Sequence, residues 1–199
     1  MSQPEFDEIF NNRESRLKFS SNPAKEIVEY SLQVARDRIK IMRASNRNYP
    51  EVYVDIIYSG AVNASATMDK TTNKYFIGIN FGTLIIMQDV FYRILASRNT
   101  FADVGNVSKE KDLEKIYNLQ VTDLAKFVLN RPNEMMVFPQ DQTRVLLGQT
   151  LMSMVIEFLA YHEYAHIISG HVGYLKTVKP NSNLNEIEQD LQPRYPLDL

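Results

Sequence analysis

The stretch that decides the architecture is residues 158–171, FLAYHEYAHIISGH, which contains all three histidines of the chain. His162, Glu163 and His166 form the pattern H-E-x-x-H. On a helix that turns about 100° per residue, the two imidazoles lie about 40° apart around the axis and one turn apart along it. Both histidines can therefore reach one metal ion. Glu163, about 100° from His162, can hold a water on that ion without being a ligand.

The helix that carries this pattern is predicted to begin near Asp141, a capping residue type, and to run without proline to about Gly170. An apolar stripe along this helix leads into the histidines, which indicates that the imidazoles face the core. The stripe consists of Met152, Val155, Leu159, His162 and His166. Metal-free buried histidines are the simpler alternative, but each ring would then need its own partner, and the two would repel each other if both were protonated.

The residue types at this spacing suit zinc chemistry. Zn²⁺ held by neutral imidazoles with an open coordination position lowers the pKa of a bound water to about 7 and polarises a substrate carbonyl. Glu163 would take the proton from this metal-activated water and pass it to the leaving amine. The predicted reaction is hydrolysis of a peptide bond in a protein or peptide substrate. The chain contains neither G-x-x-x-x-G-K-[ST] nor G-x-S-x-G, so phosphate-binding and serine-hydrolase chemistry have no support.

Composition excludes several other classes. The absence of cysteine removes disulfides, thiol nucleophiles and Cys-ligated zinc, so a metal must bind to His, Asp or Glu. With 22 basic and 24 acidic residues, the net charge of -2 gives no reason to expect nucleic acid or a membrane surface as a partner. The start lacks the pattern of a secretory signal, and the apolar run 146–159 is too short and too polar to span a bilayer. We expect a cytoplasmic protein; the sequence leaves its oligomeric state open.

The length of 199 residues predicts one domain over 1–199, and the pattern of elements predicts the α+β class. Residues 1–20 show no sustained period and are expected to form a loosely structured lead-in. The three predicted strands form a small, mostly antiparallel sheet. The predicted elements before the H-E-x-x-H helix are a helix from Ser21 or Asn22 to about 44, strands at 52–58, 62–68 and 75–80, a helix at 82–97 and a helix from Ser108 to about 129.

The H-E-x-x-H spacing does not identify the third residue that would bind the zinc ion beside His162 and His166. A structural zinc would require a closed shell of four ligands. His171 could join His162 and His166 only if the helix broke at Gly170, because a continued helix puts it about 180° from His162. Its position, five residues after His166, also misses the metzincin spacing. His171 and Tyr174 are therefore candidates for contacting a ligand histidine or donating a hydrogen bond to the oxyanion, with a purely structural role for His171 and core packing for Tyr174 as the simpler alternatives.

Residues 185–190, NEIEQD, lie about 20 residues beyond the second histidine and resemble the N-E-x-x-x-D motif of thermolysin-like gluzincins. By that resemblance, Glu186 would be the third zinc ligand and Asp190 would orient His162 or His166. An acidic surface turn is the simpler alternative for these residues.

A second resemblance covers residues 155–175. The string HEYAHIISGHVGYL, after a long apolar helix and an α+β N-terminal half, resembles the bacterial phage-exclusion peptidases and related cytoplasmic zincins. It implies a zincin-like fold, a zinc-dependent endopeptidase and a third ligand in an acidic segment beyond the helix. Either the 186–190 carboxylates serve, or that ligand lies in chain beyond Leu199. Zincins lay an extended substrate along an edge strand, for which Tyr75–Asn80 is the candidate; an ordinary strand of the sheet is the simpler alternative for these residues.

The alternative from another class is a non-catalytic interaction protein of phage or defence origin. In such a protein, the metal helix would be structural or vestigial.

Overall fold

The computed structural model describes residues 2–10, 23–57, 59, 61–111 and 137–178. Within these ranges the chain is α+β, as predicted, with five α-helices and one three-stranded sheet. In chain order the elements are α1 (Gln3–Ile9), α2 (Pro23–Ser45), β1 (Val52–Ile57), β2 (Ala64–Asp69), β3 (Lys74–Asn80), α3 (Phe81–Leu95), a 3-10 turn (Val107–Lys109), α4 (Gln142–Ile168) and α5 (His171–Val178).

The helix predicted from Ser108 to about 129 falls mostly outside the described residues. Its first residues form only the 3-10 turn Val107–Lys109. The residue that caps this turn is Asn106, whose side chain accepts a hydrogen bond from the backbone N–H of Ser108. Ser108 therefore lies inside the 3-10 turn and does not cap an α-helix there, and residues 112–129 of the predicted helix lie outside the described part.

The sheet is mixed, so the prediction of a mostly antiparallel sheet is wrong for one of its two pairings. β2 and β3 form the expected antiparallel hairpin, whereas β1 pairs in parallel with β3, and the strand order is β1-β3-β2. The physical reason is that β3 is apolar on both faces: Phe76 and Ile77 point to opposite sides and both are fully buried. β3 is thus the central strand. The prediction that Tyr75–Asn80 is an edge strand for substrate is wrong, since both of its edges are paired.

The sheet separates two apolar clusters. On one face, side chains of β1, β2 and β3 pack against α2, α3, α4 and α5 in the main core. On the other face, Phe6 of α1 packs with Ile57 and Phe76. The H-E-x-x-H pattern of α4 therefore lies on the face of the sheet that the helices cover.

The expectation of a loosely structured lead-in is wrong for residues 2–10, and residues 11–20 fall outside the described part. Ser2 and Glu5 form a capping box: the Glu5 carboxylate accepts from the Ser2 backbone N–H at 2.8 Å and lies 3.2 Å from the Ser2 hydroxyl. Lys74 of β3 also contacts Glu5. Phe6 is fully buried, with its ring centroid 5.6 Å from that of Tyr53. Two turns of helix are too short to produce the periodicity that sequence analysis requires.

α4 begins where the sequence predicts and ends two residues earlier than expected. The Asp141 carboxylate accepts from the Thr143 backbone N–H at 3.0 Å. The helix packs against α2, α3, β2 and β3 and is the central helix of the described fold. Gly148 permits the approach of α3, because a Cβ at this position would lie 2.5 Å from a ring carbon of Tyr92.

Only one face of α4 is buried. Met154 and Phe158 on the outer face are 60% and 64% exposed. By length and composition, α4 is also the one described helix that could cross a membrane, with 22% of that stretch buried inside the protein. The packing against α2, α3, α5, β2 and β3 accounts for the apolar residues of its inner face.

Arg144 fixes the start of α4. Its side chain is fully buried, and its nitrogens donate to five backbone carbonyls in the connection that follows α3, at 2.6 to 3.0 Å. The Glu110 carboxylate lies 3.9 Å from Arg144 Nε and accepts from the backbone N–H groups of Gln140 and Asp141. The acceptor carbonyls belong to Leu95, Ser97, Thr100, Phe101 and Val104.

Replacing Arg144 by methionine should destabilise the protein by roughly 3 to 5 kcal/mol, because five backbone carbonyls lose their donor and the buried Glu110 carboxylate loses its cationic neighbour. Arg38→Met is the matched control. Arg38 is 64% exposed and 3.7 Å from Glu157, so its loss should cost less than about 1 kcal/mol. Urea unfolding followed by circular dichroism measures both changes, and equal effects of the two variants would contradict the role given to Arg144.

Tyr53 makes the stability of the fold sensitive to alkaline pH. Its hydroxyl lies 2.6 Å from Gln3 Oε1 of α1 and 3.3 Å from Asp55 Oδ2. Burial, followed by the charge of Asp55, raises the pKa of Tyr53 from 10.0 to about 12. Between these two values the unfolded chain loses the proton while the folded protein keeps it, so stability falls as pH rises through this window.

Tyr53→Phe should therefore show a flatter loss of unfolding free energy above about pH 10 than the wild type. Tyr30→Phe is the control, because Tyr30 is 68% exposed. Urea unfolding at a series of pH values measures the slopes. An unchanged slope in Tyr53→Phe would show that other groups cause the alkaline loss.

Candidate metal centre

The two histidines of the H-E-x-x-H pattern lie in the last two turns of α4, with their rings facing each other. The Nε2 atoms of His162 and His166 are 3.2 Å apart, and the ring planes are nearly perpendicular, at 89°. In tetrahedral zinc with Zn–N bonds of about 2.0 Å, two ligand nitrogens are separated by about 3.3 Å. The pair therefore has the separation that a shared ion requires, which is also the length of a hydrogen bond between neutral imidazoles.

Glu163 lies on the inner side of the same helix turn. Its side chain is 3% exposed and shares the buried face with Ala160 and Ile167, whereas the two imidazoles are half-buried. The step of about 100° between consecutive residues produces this division. The arrangement places a carboxylate inside the protein and two ring nitrogens at its margin.

The segment around Glu163 is anchored to the rest of the fold by Tyr164. Tyr164 is 1% exposed, its ring meets that of Tyr49 edge-on at 6.3 Å, and its hydroxyl donates to the Pro50 carbonyl at 3.4 Å. Burial raises the pKa of Tyr164 above its ordinary value. The hydroxyl therefore remains a donor over a wide pH range and holds the last turns of α4 against the connection between α2 and β1.

The helix breaks immediately after the pattern, at Gly170. Gly170 has a φ of +78°, the left-handed conformation in which glycine ends helices, and α5 begins at His171. As a result, His171 Nδ1 lies 2.9 Å from His166 Nδ1. The helix thus breaks at Gly170, which is the condition on which His171 can approach His162 and His166.

His171 nevertheless does not converge with the other two histidines on one point. It meets His166 at Nδ1, whereas His162 meets His166 at Nε2, and these two nitrogens point in diverging directions. Among the residues that the structure describes, no group of three or more His, Cys, Asp or Glu side chains could hold a metal ion. The geometry thus supplies two convergent ring nitrogens, on His162 and His166, and a third histidine that contacts His166.

The other predicted site residues are not brought to the pair in the described part of the chain. Glu186 and Asp190 lie outside the described residues, so their roles as third ligand and orienting carboxylate stay predictions. Tyr174 lies on α5 and is 71% exposed. Its role as a donor to the oxyanion also stays a prediction.

Sequence reasoning missed the aromatic neighbour of the site. The ring of Phe158 stacks on His162, with centroids 5.8 Å apart and planes inclined by 24°. Phe158 precedes His162 by one helical turn, and this spacing was the signal that could have identified it. Because Phe158 is 64% exposed, the outer side of the histidine pair is bordered by an apolar surface.

The acidic residue nearest in sequence on the N-terminal side is held by other partners. Glu157 accepts a hydrogen bond from the Tyr161 hydroxyl at 3.2 Å and pairs with Arg38 of α2 at 3.7 Å. Burial, and then the charge of Glu157, raise the pKa of Tyr161. Glu157 is therefore directed towards α2, which makes it a suitable control for Glu163.

Comparisons of the chain with family models, curated proteins and solved structures give no match. The assignment of function below therefore depends on the geometry of residues 162–171 and on the motif that they form.

We expect the purified protein to bind one Zn²⁺ per chain, because two neutral imidazoles at this separation form part of a zinc site. His162→Ala and His166→Ala should each weaken binding at least about 100-fold. Glu157→Gln, on the same helix but directed towards α2, should leave binding unchanged. Competition with a chromophoric chelator measures the affinities, and equal zinc binding by the wild type and the double alanine variant would exclude this site.

Proposed function

We propose that the chain is a zinc-dependent endopeptidase with a zincin-like active site, acting on protein or peptide substrates in the cytoplasm. The observation that carries the proposal is the 3.2 Å separation of the His162 and His166 Nε2 atoms, with the buried Glu163 beside them. The resemblance of residues 162–175 to the phage-exclusion peptidases supports the same reaction class.

The donor set fits zinc. Imidazole is a preferred zinc ligand, and the half-buried position of the rings leaves one side of the pair accessible. A bound Zn²⁺ would supply a Lewis acid that lowers the pKa of water to about 7 and polarises a carbonyl. His162 and His166 would hold it. On the gluzincin resemblance, Glu186 would complete the ligand set and Asp190 would orient a histidine.

Glu163 would act as the general base. Its carboxylate would accept a proton from the attacking water and deliver it to the leaving amine. Its low exposure separates the carboxylate from bulk water, and a base in a fixed, water-poor setting needs little reorganisation during proton transfer. The rigid packing of α4 would keep that carboxylate at a constant distance from the histidine pair.

Glu163→Gln should retain zinc and lose hydrolysis by about 10²- to 10⁴-fold, because the amide cannot accept the proton. The measurements are zinc content by elemental analysis and cleavage of fluorescently labelled casein. Glu157→Gln is the matched control on the same helix and should preserve both. Wild-type activity in Glu163→Gln would refute the proposal, and a zinc-loaded wild type without activity would favour the non-catalytic alternative.

A further inference from the structure

Three imidazoles form a continuous chain at the end of α4. His162 and His166 meet through their Nε2 atoms at 3.2 Å, and His166 and His171 meet through their Nδ1 atoms at 2.9 Å. Each contact between two ring nitrogens needs one N–H and one lone pair. When all three rings carry a single proton, these contacts therefore link their tautomers.

Two arrangements of protons satisfy both contacts. In the first, His162 Nε2–H donates to His166 Nε2, and His166 Nδ1–H donates to His171 Nδ1. In the second, both hydrogen bonds run the other way. Binding of an ion at His166 Nε2 requires the first arrangement, because the ring must then carry its lone pair on Nε2 and its proton on Nδ1. The first also leaves the lone pair of His166 Nε2 on the side that faces His162.

We infer that His171 is a positioning residue for the metal site: its Nδ1 accepts the Nδ1–H of His166 and keeps His166 Nε2 unprotonated and directed at the ion. This inference rests on the proposed function. Metal-binding histidines commonly donate their second N–H to a carboxylate or carbonyl. In this chain, the acceptor is the imidazole of His171, whose Nδ1 lies 2.9 Å from His166 Nδ1.

The fold holds His171 in place from both sides. Gly170, with φ +78°, turns the chain back towards α4, and Val172 is 1% exposed in the main core. The ring of His171 itself is exposed. A substitution at this position therefore removes the contact to His166 without opening a cavity in the core.

The first test is the tautomer of His166 in the metal-free, ¹⁵N-labelled full chain at about pH 8, above the ordinary pKa of a free histidine side chain, about 6.5. Long-range ¹H–¹⁵N correlation identifies the protonated ring nitrogen. We expect Nδ1–H in the wild type and in His171→Asn, whose amide oxygen can replace Nδ1 as acceptor. His171→Phe keeps a ring without the acceptor and should shift His166 to Nε2–H. An Nε2–H form in the wild type, or no shift in His171→Phe, would overturn the inference.

The second test is zinc affinity by chelator competition. His171→Phe should bind zinc about 10- to 100-fold more weakly than the wild type, and His171→Asn should recover most of that loss. His171→Gln places its amide beyond the Nδ1 position and should behave like His171→Phe, which provides a second variant if the first does not fold. Wild-type affinity in both His171→Phe and His171→Gln would overturn the inference.

The two tests separate this inference from the proposed function. A wild type that binds no zinc would overturn the proposed function, and with it the role of His171 at a metal site. A wild type that binds zinc and hydrolyses casein, with a His166 tautomer that does not depend on His171, would overturn the inference alone.

Discussion

Two imidazoles one helical turn apart can share an ion only if the helix that carries them neither bends nor frays. The packing of α4 meets this constraint along its whole length. Arg144 and the Asp141 cap hold its first turn, and Ile156 and Ala160 are fully buried at its centre. Tyr164 holds the last turns against Pro50. The site geometry is therefore a consequence of long-range packing as much as of the local motif.

The same helical period separates the roles of adjacent residues. His162 and Glu163 are neighbours in sequence, yet one is half-buried at the margin of the core and the other is 3% exposed. A strand would place neighbouring side chains on opposite faces of a sheet, and no single turn would bring His166 beside His162. The H-E-x-x-H pattern can therefore bring its two imidazoles together, with Glu163 in the core, only on a helix that is buried on one side.

Features encoded by short-range signals could be predicted from the sequence, and features set by distant contacts could not. The limits of α4 follow from Asp141, from the absence of proline and from Gly170. The β2–β3 hairpin follows from its polar turn. The parallel pairing of β1 with β3 has no local signal, because it depends on both faces of β3 being covered. α1 was missed because its burial depends on a single residue, Phe6, packed against the far side of the sheet.

The candidate site divides in the same way. The convergence of His162 and His166 follows from their spacing. The contact of His171 with His166 depends on the turn at Gly170, which the sequence permits but does not require.

The hydrogen-bonded chain of rings also has an energetic consequence. It holds the two Nε2 atoms at nearly the separation that an ion requires, so binding needs little movement of side chains. With His166 held in the Nδ1–H form by His171, zinc binding would require a change of tautomer at His162, whose Nε2 would give up its proton, whereas His166 would already present its lone pair.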